Sequence, residues 1–153
     1  MKLVIQRVSR AEVRVAGAAV GRIGAGMAVL VGLERGDGDE QLERAARRLT
    51  TLRIFEDDGG RIVGGGAEVG GELLLVSQFT LAGSIRRGRR PSFDRAMPAD
   101  AAQPLFDRFV ARLRAEGLTV ETGRFGALME VEMVNDGPVT LLWDDPPSSA
   151  DAE

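Results

Sequence analysis

Leu73, Leu74, Leu75 and Val76 are apolar on four consecutive positions. In a strand this means that both faces are buried, because neighbouring side chains point to opposite sides. Residues 72–81 (ELLLVSQFTL) therefore read as a central strand that turns polar at Ser77, Gln78 and Thr80. Each of those hydroxyls and amides needs a partner once out of water, at roughly 1 to 3 kcal/mol if unmet. Loops at the end of the sheet are the plainest source of such partners. Upstream, Leu3, Ile5, Val8, Val13, Val15, Val20 and Ile23 mark short strands separated by Ser9-Arg10 and by Gly17, and residues 27–33 (MAVLVGL) form a further apolar run after Gly24 and Gly26.

The period changes over residues 37–52, where Leu42, Ala45, Ala46, Leu49 and Leu52 make the stripe of a helix, with Asp37 or Asp39 as its N-cap. Glu40 with Arg44 and Glu43 with Arg47 lie on the wet side. A short strand at residues 53–56 leads to an Asp57-Asp58-Gly59-Gly60 turn, and Gly64-Gly65-Gly66 reads as a loop too flexible to hold structure by itself. Pro98 begins a second helix, carried by Leu105, Phe106, Phe109, Val110 and Leu113 and ended by Gly117. Over residues 128–134, Met129, Val131 and Met133 alternate with Glu130 and Glu132, the pattern of a half-buried antiparallel strand; Asn135-Asp136-Gly137-Pro138 then predicts a turn and residues 139–143 a returning strand. These elements predict an α/β fold: one compact three-layer (β/β/α) domain over residues 1–143, a mixed sheet covered by two helices in the order ββ(βα)(βα)βββ. Residues 144–153 (DDPPSSADAE) are expected to be an acidic disordered tail.

Composition narrows the chemistry. The 153 residues include no cysteine, histidine or tyrosine, and Lys2 is the only lysine. Thiol nucleophiles, a Ser-His-Asp triad and the common kinds of zinc site are therefore excluded, leaving hydroxyls, carboxylates, backbone groups or the substrate itself to supply reactivity. No apolar run is long enough for a bilayer, and the charged, strand-like start MKLVIQRVSR is no signal peptide, so a cytoplasmic protein without membrane partners is expected. A net charge of −3 argues against a broad nucleic-acid surface but leaves room for local basic patches. One such patch is Arg86, Arg87, Arg89 and Arg90 around Gly88. It reads either as a solvated loop or as an anion site, the guanidinium fork being suited to phosphate. Gly21-x-x-Gly24-x-Gly26 precedes a strand and lacks a following Gly-Lys-Ser/Thr, so it is not read as a nucleotide loop. Asp57-Asp58 and Asp144-Asp145 read as solvated turn and tail, and neither a metal nor a cofactor is expected.

Two polar interruptions of apolar strands remain, Ser77-Gln78-Phe79-Thr80 and Asn135-Asp136-Gly137-Pro138-Val139-Thr140. Together SQFTL and NDGPVT resemble the paired signature motifs of the D-aminoacyl-tRNA deacylase family. The likeness extends through IQRVSRAEVRV, RIGAGMAVLVG, LRIF, GGELLLVSQFTL, RRPSF and TGRFGALMEVEMVNDGPVT in the same order. The resemblance implies a homodimeric enzyme that hydrolyses the ester between a D-amino acid, or glycine, and the 3'-terminal adenosine of tRNA, sparing L-aminoacyl esters. It implies a site astride the dimer interface, with Ser77, Gln78, Phe79 and Thr80 of one subunit facing a cis Gly137-Pro138 step and Val139 of the other. Main-chain carbonyls there would crowd the side on which an L-residue carries its Cβ. The resemblance further implies that Arg7 helps hold that motif, and that the adenine rests among Phe125, Met129 and Met133.

From the residues alone, the two methionines equally well fill core. With no histidine, the favoured mechanism is assistance by the ribose 2'-hydroxyl, while Ser77, Gln78 and backbone N–H groups orient the ester; Thr80 as nucleophile lacks an activating base. Relatives commonly carry a Met-Asn pair where this chain has 61–66 (RIVGGG), and Arg89 is unusual before Arg90-Pro91, departures that bear on tRNA docking. The competing readings are a non-catalytic RNA 3'-end binding module and a carboxylate-metal hydrolase.

Overall fold

The computed structural model describes residues 1–147. Its centre is the strand β6 (Glu72–Ser77), hydrogen-bonded in parallel to β3 (Gly26–Gly32) on one side and to β7 (Thr119–Thr122) on the other. The apolar run divides as a doubly buried strand requires. Leu73 and Leu75 face the core beneath the helices, and Leu74 and Val76 face a second core on the opposite side. The long β1 (Lys2–Val15) pairs antiparallel with β3 through its first half and with β2 (Ala18–Ile23) through its second, while β8 (Glu130–Asp144) runs along its other edge. Ala16 and Gly17, both at positive φ, make the two-residue connection from β1 to β2.

Two crossovers put helices on one face, as parallel neighbours demand. The first carries α1 (Asp39–Thr51), the small sheet of β4 (Arg53–Glu56) and β5 (Ile62–Gly65), and one turn of helix, α2 (Gly66–Val69); the second carries α3 (Ala99–Ala115). Leu42, Ala46 and Leu49 of α1 and Leu105, Phe109 and Leu113 of α3 close over Leu3, Ile5, Val29 and Leu75. On the far side the sheet curls until β2 lies against β7. A Cβ on Gly21 would stand 2.3 Å from the Thr122 carbonyl oxygen, and one on Gly26 1.9 Å from that of Glu72. Two of the three glycines whose spacing superficially suggests a phosphate loop, Gly21 and Gly26, therefore serve backbone closure. Val8, Ala11, Val13, Ile23 and Ala28 fill the space enclosed. This one sheet curled on itself, with helices outside, is the three-layer α/β arrangement that the sequence predicts, with β5 and α2 added in the first crossover and two strands, β7 and β8, after α3 in place of three.

Several local expectations need correction. Residues 2–15 are one strand, continuing through Ser9-Arg10 with irregular pairing to β8 there. The α1 N-cap is Gly38, whose N–H donates to Gln41 Oε1 at 2.9 Å. Asp37 is committed elsewhere: it accepts from the Met1 ammonium at 2.8 Å and from the Glu34 N–H at 2.7 Å. Burial pushes the Asp37 carboxyl above its ordinary range even beside that ammonium. Gly64 and Gly65 complete β5 and Gly66 opens α2, because the chain passes so close to the end of α1 that a Cβ on Gly65 would stand 2.8 Å from the Thr50 carbonyl oxygen. The predicted turn at residues 135–138 and its two flanking strands are a single strand, β8. Asp144 and Asp145 are tied down by Lys2, Arg44 and the Met1 ammonium, which donates to the Asp145 carbonyl at 2.7 Å. Residues 148–153 of the expected tail lie outside the described residues. No described helix is long and apolar enough to cross a membrane.

An ion ladder reinforces β8 on β1. Glu132 accepts from Arg10 at 2.8 Å and Arg14 at 3.0 Å, and Glu12 from Arg22 at 2.7 Å and Arg14 at 3.2 Å. Those guanidinium groups hold both carboxyls below the usual carboxylate range. A carboxyl whose folded pKa is depressed stabilises the fold above its unfolded pKa, and that stabilisation is lost as pH falls through the folded value. Glu132→Gln is therefore expected to narrow the drop in urea midpoint between pH 6 and pH 3. Equal drops in variant and parent would show that the ladder contributes nothing to acid lability.

Candidate active site

The strand β6 ends at Ser77 because the main chain leaves extended pairing at Gln78 (φ −144°, ψ 80°) and enters a 3-10 turn over Phe79–Ala82. The apolar pattern predicts a strand as far as Leu81. The turn wins because Gly32 beneath it has no Cβ: one there would stand 2.7 Å from Leu81 Cβ. The Gln78 N–H donates to the Val31 carbonyl at 2.7 Å, fixing the turn to β3, and its Nε2 donates to Thr80 Oγ1 at 2.6 Å. Part of the polar demand at the strand end is thus met within the motif. Ser77 and Gln78 are half-buried, whereas Phe79 and Thr80 are exposed. Phe79 stands edge-on to Phe93, ring centroids 5.2 Å apart.

This turn forms one lip of a cleft of about 530 Å³. Val31 and Val76 line it from the sheet, Ala99 and Ala102 from the first turns of α3, and residues 125–129 form the opposite wall. Phe125 is held by Phe106 of α3, centroids 6.1 Å apart, and Met129 folds over Gly123, where a Cβ would stand 2.6 Å from its sulfur. The cleft therefore brings together Ser77, Gln78, Phe79, Phe125 and Met129 from the sequence-predicted set. Thr80 adjoins through its bond to Gln78. Met133, half-buried, packs like Met129 against the second core and accepts from Gln6 Nε2 at 3.3 Å, and it does not line the cleft. Sequence reasoning missed the small residues Ala99 and Ala102, whose shortness leaves the cleft open; two alanines on the apolar face of a helix's first turns are the signal that was there to find.

The second motif lies elsewhere on the chain. Between the pairs Gln6↔Thr140 and Val8↔Asn135, the single residue Arg7 on β1 faces residues 136–139 on β8, which loop out of the ladder. The Gly137-Pro138 peptide is cis, and both residues are exposed. Arg7, 7% exposed, fills the gap: its Nε donates to the Asp136 carbonyl at 3.0 Å, its Nη1 donates to the Ile54 carbonyl, and Glu56 lies 3.3 Å away. Gly137 has φ +123°, and a Cβ there would meet Val139 Cγ2 at 3.0 Å and Arg7 Nη2 at 3.1 Å. Gly137, Pro138 and Val139 do not line the cleft of their own chain, and neither do Arg86, Arg87, Arg89 and Arg90. The paired aspartates are engaged otherwise: Asp57 Oδ1 accepts the N–H groups of Gly59 and Arg61, Asp144 meets Lys2, and Asp145 meets Arg44.

The family model for D-Tyr-tRNA(Tyr) deacylase matches residues 4–144. The chain belongs to this deacylase family. Among its relatives, a D-aminoacyl-tRNA deacylase of Symbiobacterium thermophilum is 55% identical over 144 residues, covering 94% of this chain and 95% of the relative. One from Chlorobaculum parvum is 52% identical over 147 residues, covering 95% and 99%. A solved structure of the c-Myc DNA Unwinding Element Binding Protein superposes with a TM-score of 0.89 at 39% identity, covering 95% of this chain and 99% of the other. At 21% identity, a solved probable eukaryotic D-amino acid tRNA deacylase shares the fold, with a TM-score of 0.81 over 94% and 98% of the two chains. The deacylase family's fold is thus carried by this chain along almost its whole length.

Proposed function

We propose that this chain is a D-aminoacyl-tRNA deacylase: water adds across the ester joining a D-amino acid, or glycine, to the 3'-terminal adenosine of tRNA, releasing the free amino acid and the ribose hydroxyl. The observation that carries the reading is the cleft at the end of β6, where Ser77, Gln78 and Phe79 face Phe125 and Met129, in a chain of this deacylase family. The wall of Phe125 and Met129 offers an apolar, polarizable surface for the adenine. At the start of the 3-10 turn, the N–H groups of Phe79 and Thr80 have no acceptor within the turn, as at any helix start, and these are the donors assigned to the ester oxygen as it gains charge.

No side chain near the cleft is a strong base. Thr80 Oγ1 accepts from the Gln78 amide, and no carboxylate or amine among the described residues lines the cleft to take the hydroxyl proton. The ribose 2'-hydroxyl beside the ester therefore takes part in activating water, with the turn holding the carbonyl in place. A substrate ending in 2'-deoxyadenosine is expected to turn over at least about a hundredfold more slowly, the scale of a lost acid–base contribution. Thr80→Val should keep most of its activity; undiminished cleavage of the deoxy substrate, or a dead Thr80→Val, would overturn this mechanism.

Handedness is assigned to the main chain at Gly137 and Pro138. These residues are exposed, stand apart from their own cleft, and are anchored by Arg7. In a homodimer they would serve the cleft of the second copy, their carbonyls occupying the side on which an L-residue projects its Cβ. The long outer edge of β8, with Val131, Val134, Leu141 and Leu142 exposed, supports such pairing, since edges of this kind are otherwise covered or blunted. Incubation with D-tyrosyl-tRNA and L-tyrosyl-tRNA, with the mass in solution measured in parallel, tests the reading. Rapid loss of the D-ester alone from a dimer is expected. Equal cleavage of both esters would remove the chiral assignment, and binding without cleavage of either would favour the RNA 3'-end binding module.

A further inference from the structure

A short arm stands beside the lip of the cleft. The Ser84 and Ser92 main chains bond to each other in both directions, N–H to carbonyl at 2.7 and 2.9 Å, closing residues 85–91 into a loop that turns at Gly88 (φ +72°). Its foot is fixed to the Gln78–Thr80 turn. Phe93 packs edge-on against Phe79, and the Gly83 main chain lies so close that a Cβ there would stand 2.8 Å from the Phe93 ring. Beyond Phe93, Ser92 Oγ donates to Asp94 at 2.6 Å and Arg35 donates to the Asp94 carbonyl at 3.0 Å.

The loop displays Arg86, Arg87, Arg89 and Arg90, all exposed, in a chain whose net charge is −3. Several arginines elsewhere find carboxylates, as Arg10 and Arg14 do on Glu132 and Arg95 does on Glu34, while Arg35, Arg48 and Arg112, far apart in sequence, make no ion pair among the described residues. Among the described residues no ion pair involves any of the four on the arm. Ile85, 82% exposed, shows that the loop buries no apolar anchor of its own. Four like charges held together on a closed loop repel one another, and an external anion with several charges in a row relieves that repulsion more fully than mobile counterions do.

We infer that the arm of residues 84–92 is a phosphate clamp that grips the sugar-phosphate backbone of the tRNA acceptor end and seats its terminal adenosine in the adjacent cleft. The inference rests on the deacylase reading of that cleft. Guanidinium groups pair with phosphate oxygens two at a time, and each contact displaces condensed counterions, so the grip strengthens as salt falls. A solvated loop, the plainer account of a charge run, would leave binding indifferent to these residues.

The test uses the quadruple variant Arg86→Gln/Arg87→Gln/Arg89→Gln/Arg90→Gln of the full chain, with uncharged tRNA, D-tyrosyl-tRNA and the short ester D-tyrosyl-adenosine. The variant is expected to bind uncharged tRNA at least about tenfold more weakly, with a slope of log affinity against log salt shallower by about two to four. The ratio of kcat/KM for D-tyrosyl-tRNA to that for the short ester should fall at least about tenfold, through KM rather than kcat. Unchanged tRNA affinity and salt slope would overturn the clamp. Parallel losses on both esters would overturn it too, because the arm would then act through the Phe93–Phe79 contact on the site itself. If the parent protein cleaves neither ester, the deacylase reading fails, and the binding measurement on uncharged tRNA still judges the clamp.

Discussion

Gly26→Ala is expected to cost about 4 kcal/mol or more and to yield a protein that is insoluble or unfolded at room temperature, whereas Gly24→Ala, two residues away, should change stability by less than about 1 kcal/mol. Both glycines belong to one short run with no special backbone angle that only glycine tolerates, so conformational preference does not separate them. Space does. A Cβ on Gly26 would stand 1.9 Å from the Glu72 carbonyl oxygen and 2.7 Å from that residue's N and carbonyl carbon, while one on Gly24 would meet nothing within 4 Å. The obstruction at Gly26 is main chain of the central strand, paired in register with β3, so no side chain can swing aside. Relief requires moving β3 away from β6, which breaks the parallel ladder and opens both cores at once. A loss of that size is a large part of a typical domain's total stability. Urea unfolding followed by Trp143 fluorescence measures it. A soluble Gly26→Ala protein with a midpoint near the parent's would refute the closure argument, and a collapse of Gly24→Ala would refute its specificity.

The second large effect is expected at Arg7. Arg7→Met keeps the aliphatic stem but removes the guanidinium that donates to the Asp136 and Ile54 carbonyls. Those acceptors lose their donor, and the ionic contacts to Glu56 and Asp136 go with it. Both carboxylates are largely exposed, so the ion pairs weigh little beside the hydrogen bonds of the buried guanidinium. A loss of roughly 3 kcal/mol is expected, the lower end for breaking a buried charged network. The functional effect is more telling than the thermodynamic one. Arg7 is the one β1 residue opposite the looped-out residues 136–139, and without it the Gly137 main chain is no longer fixed against the strand. The ratio of D- to L-ester cleavage should fall at least about tenfold, equivalent to about 1.4 kcal/mol of lost discrimination. Arg7→Lys, which restores charge but not the fork, should lie between the two. A folded Arg7→Met protein with the parent's D/L ratio would remove Arg7 from any part in handedness.

Most of the scaffold was legible because burial leaves a period in the sequence. Leu73 to Val76 announced a strand covered on both faces, and Leu42, Ala45, Ala46 and Leu49 a helix with one dry side. Other features depended on partners remote in sequence. Asp37 lost the expected capping role because the Met1 ammonium claims its carboxylate, and the Gly64-Gly65-Gly66 run gained structure because the end of α1 packs on it. Nothing local to either segment carries that information. The NDGP stretch was the instructive error. Turn chemistry at Asn135 to Pro138 is real, yet β1 pairs with the chain on both sides of it, so the segment loops out of a continuous strand where a hairpin was expected.

For the site, composition established that the chain holds no histidine or cysteine, and the resemblance of its motifs to a known family marked Arg7, Ser77, Gln78, Phe79, Thr80, Phe125, Met129, Met133, Gly137, Pro138 and Val139 as candidates. Composition and motif are properties of the string, and no folding is needed to read them. What the tertiary structure decided is proximity: that Ser77, Gln78, Phe79, Phe125 and Met129 share one cleft with Ala99 and Ala102, that Met133 packs against the second core without lining that cleft, and that Gly137 and Pro138 lie off the cleft beside Arg7. Distances between side chains far apart in sequence are set by sheet curvature and close backbone approach, as at Gly21 and Gly26, and these are global quantities that no local pattern encodes.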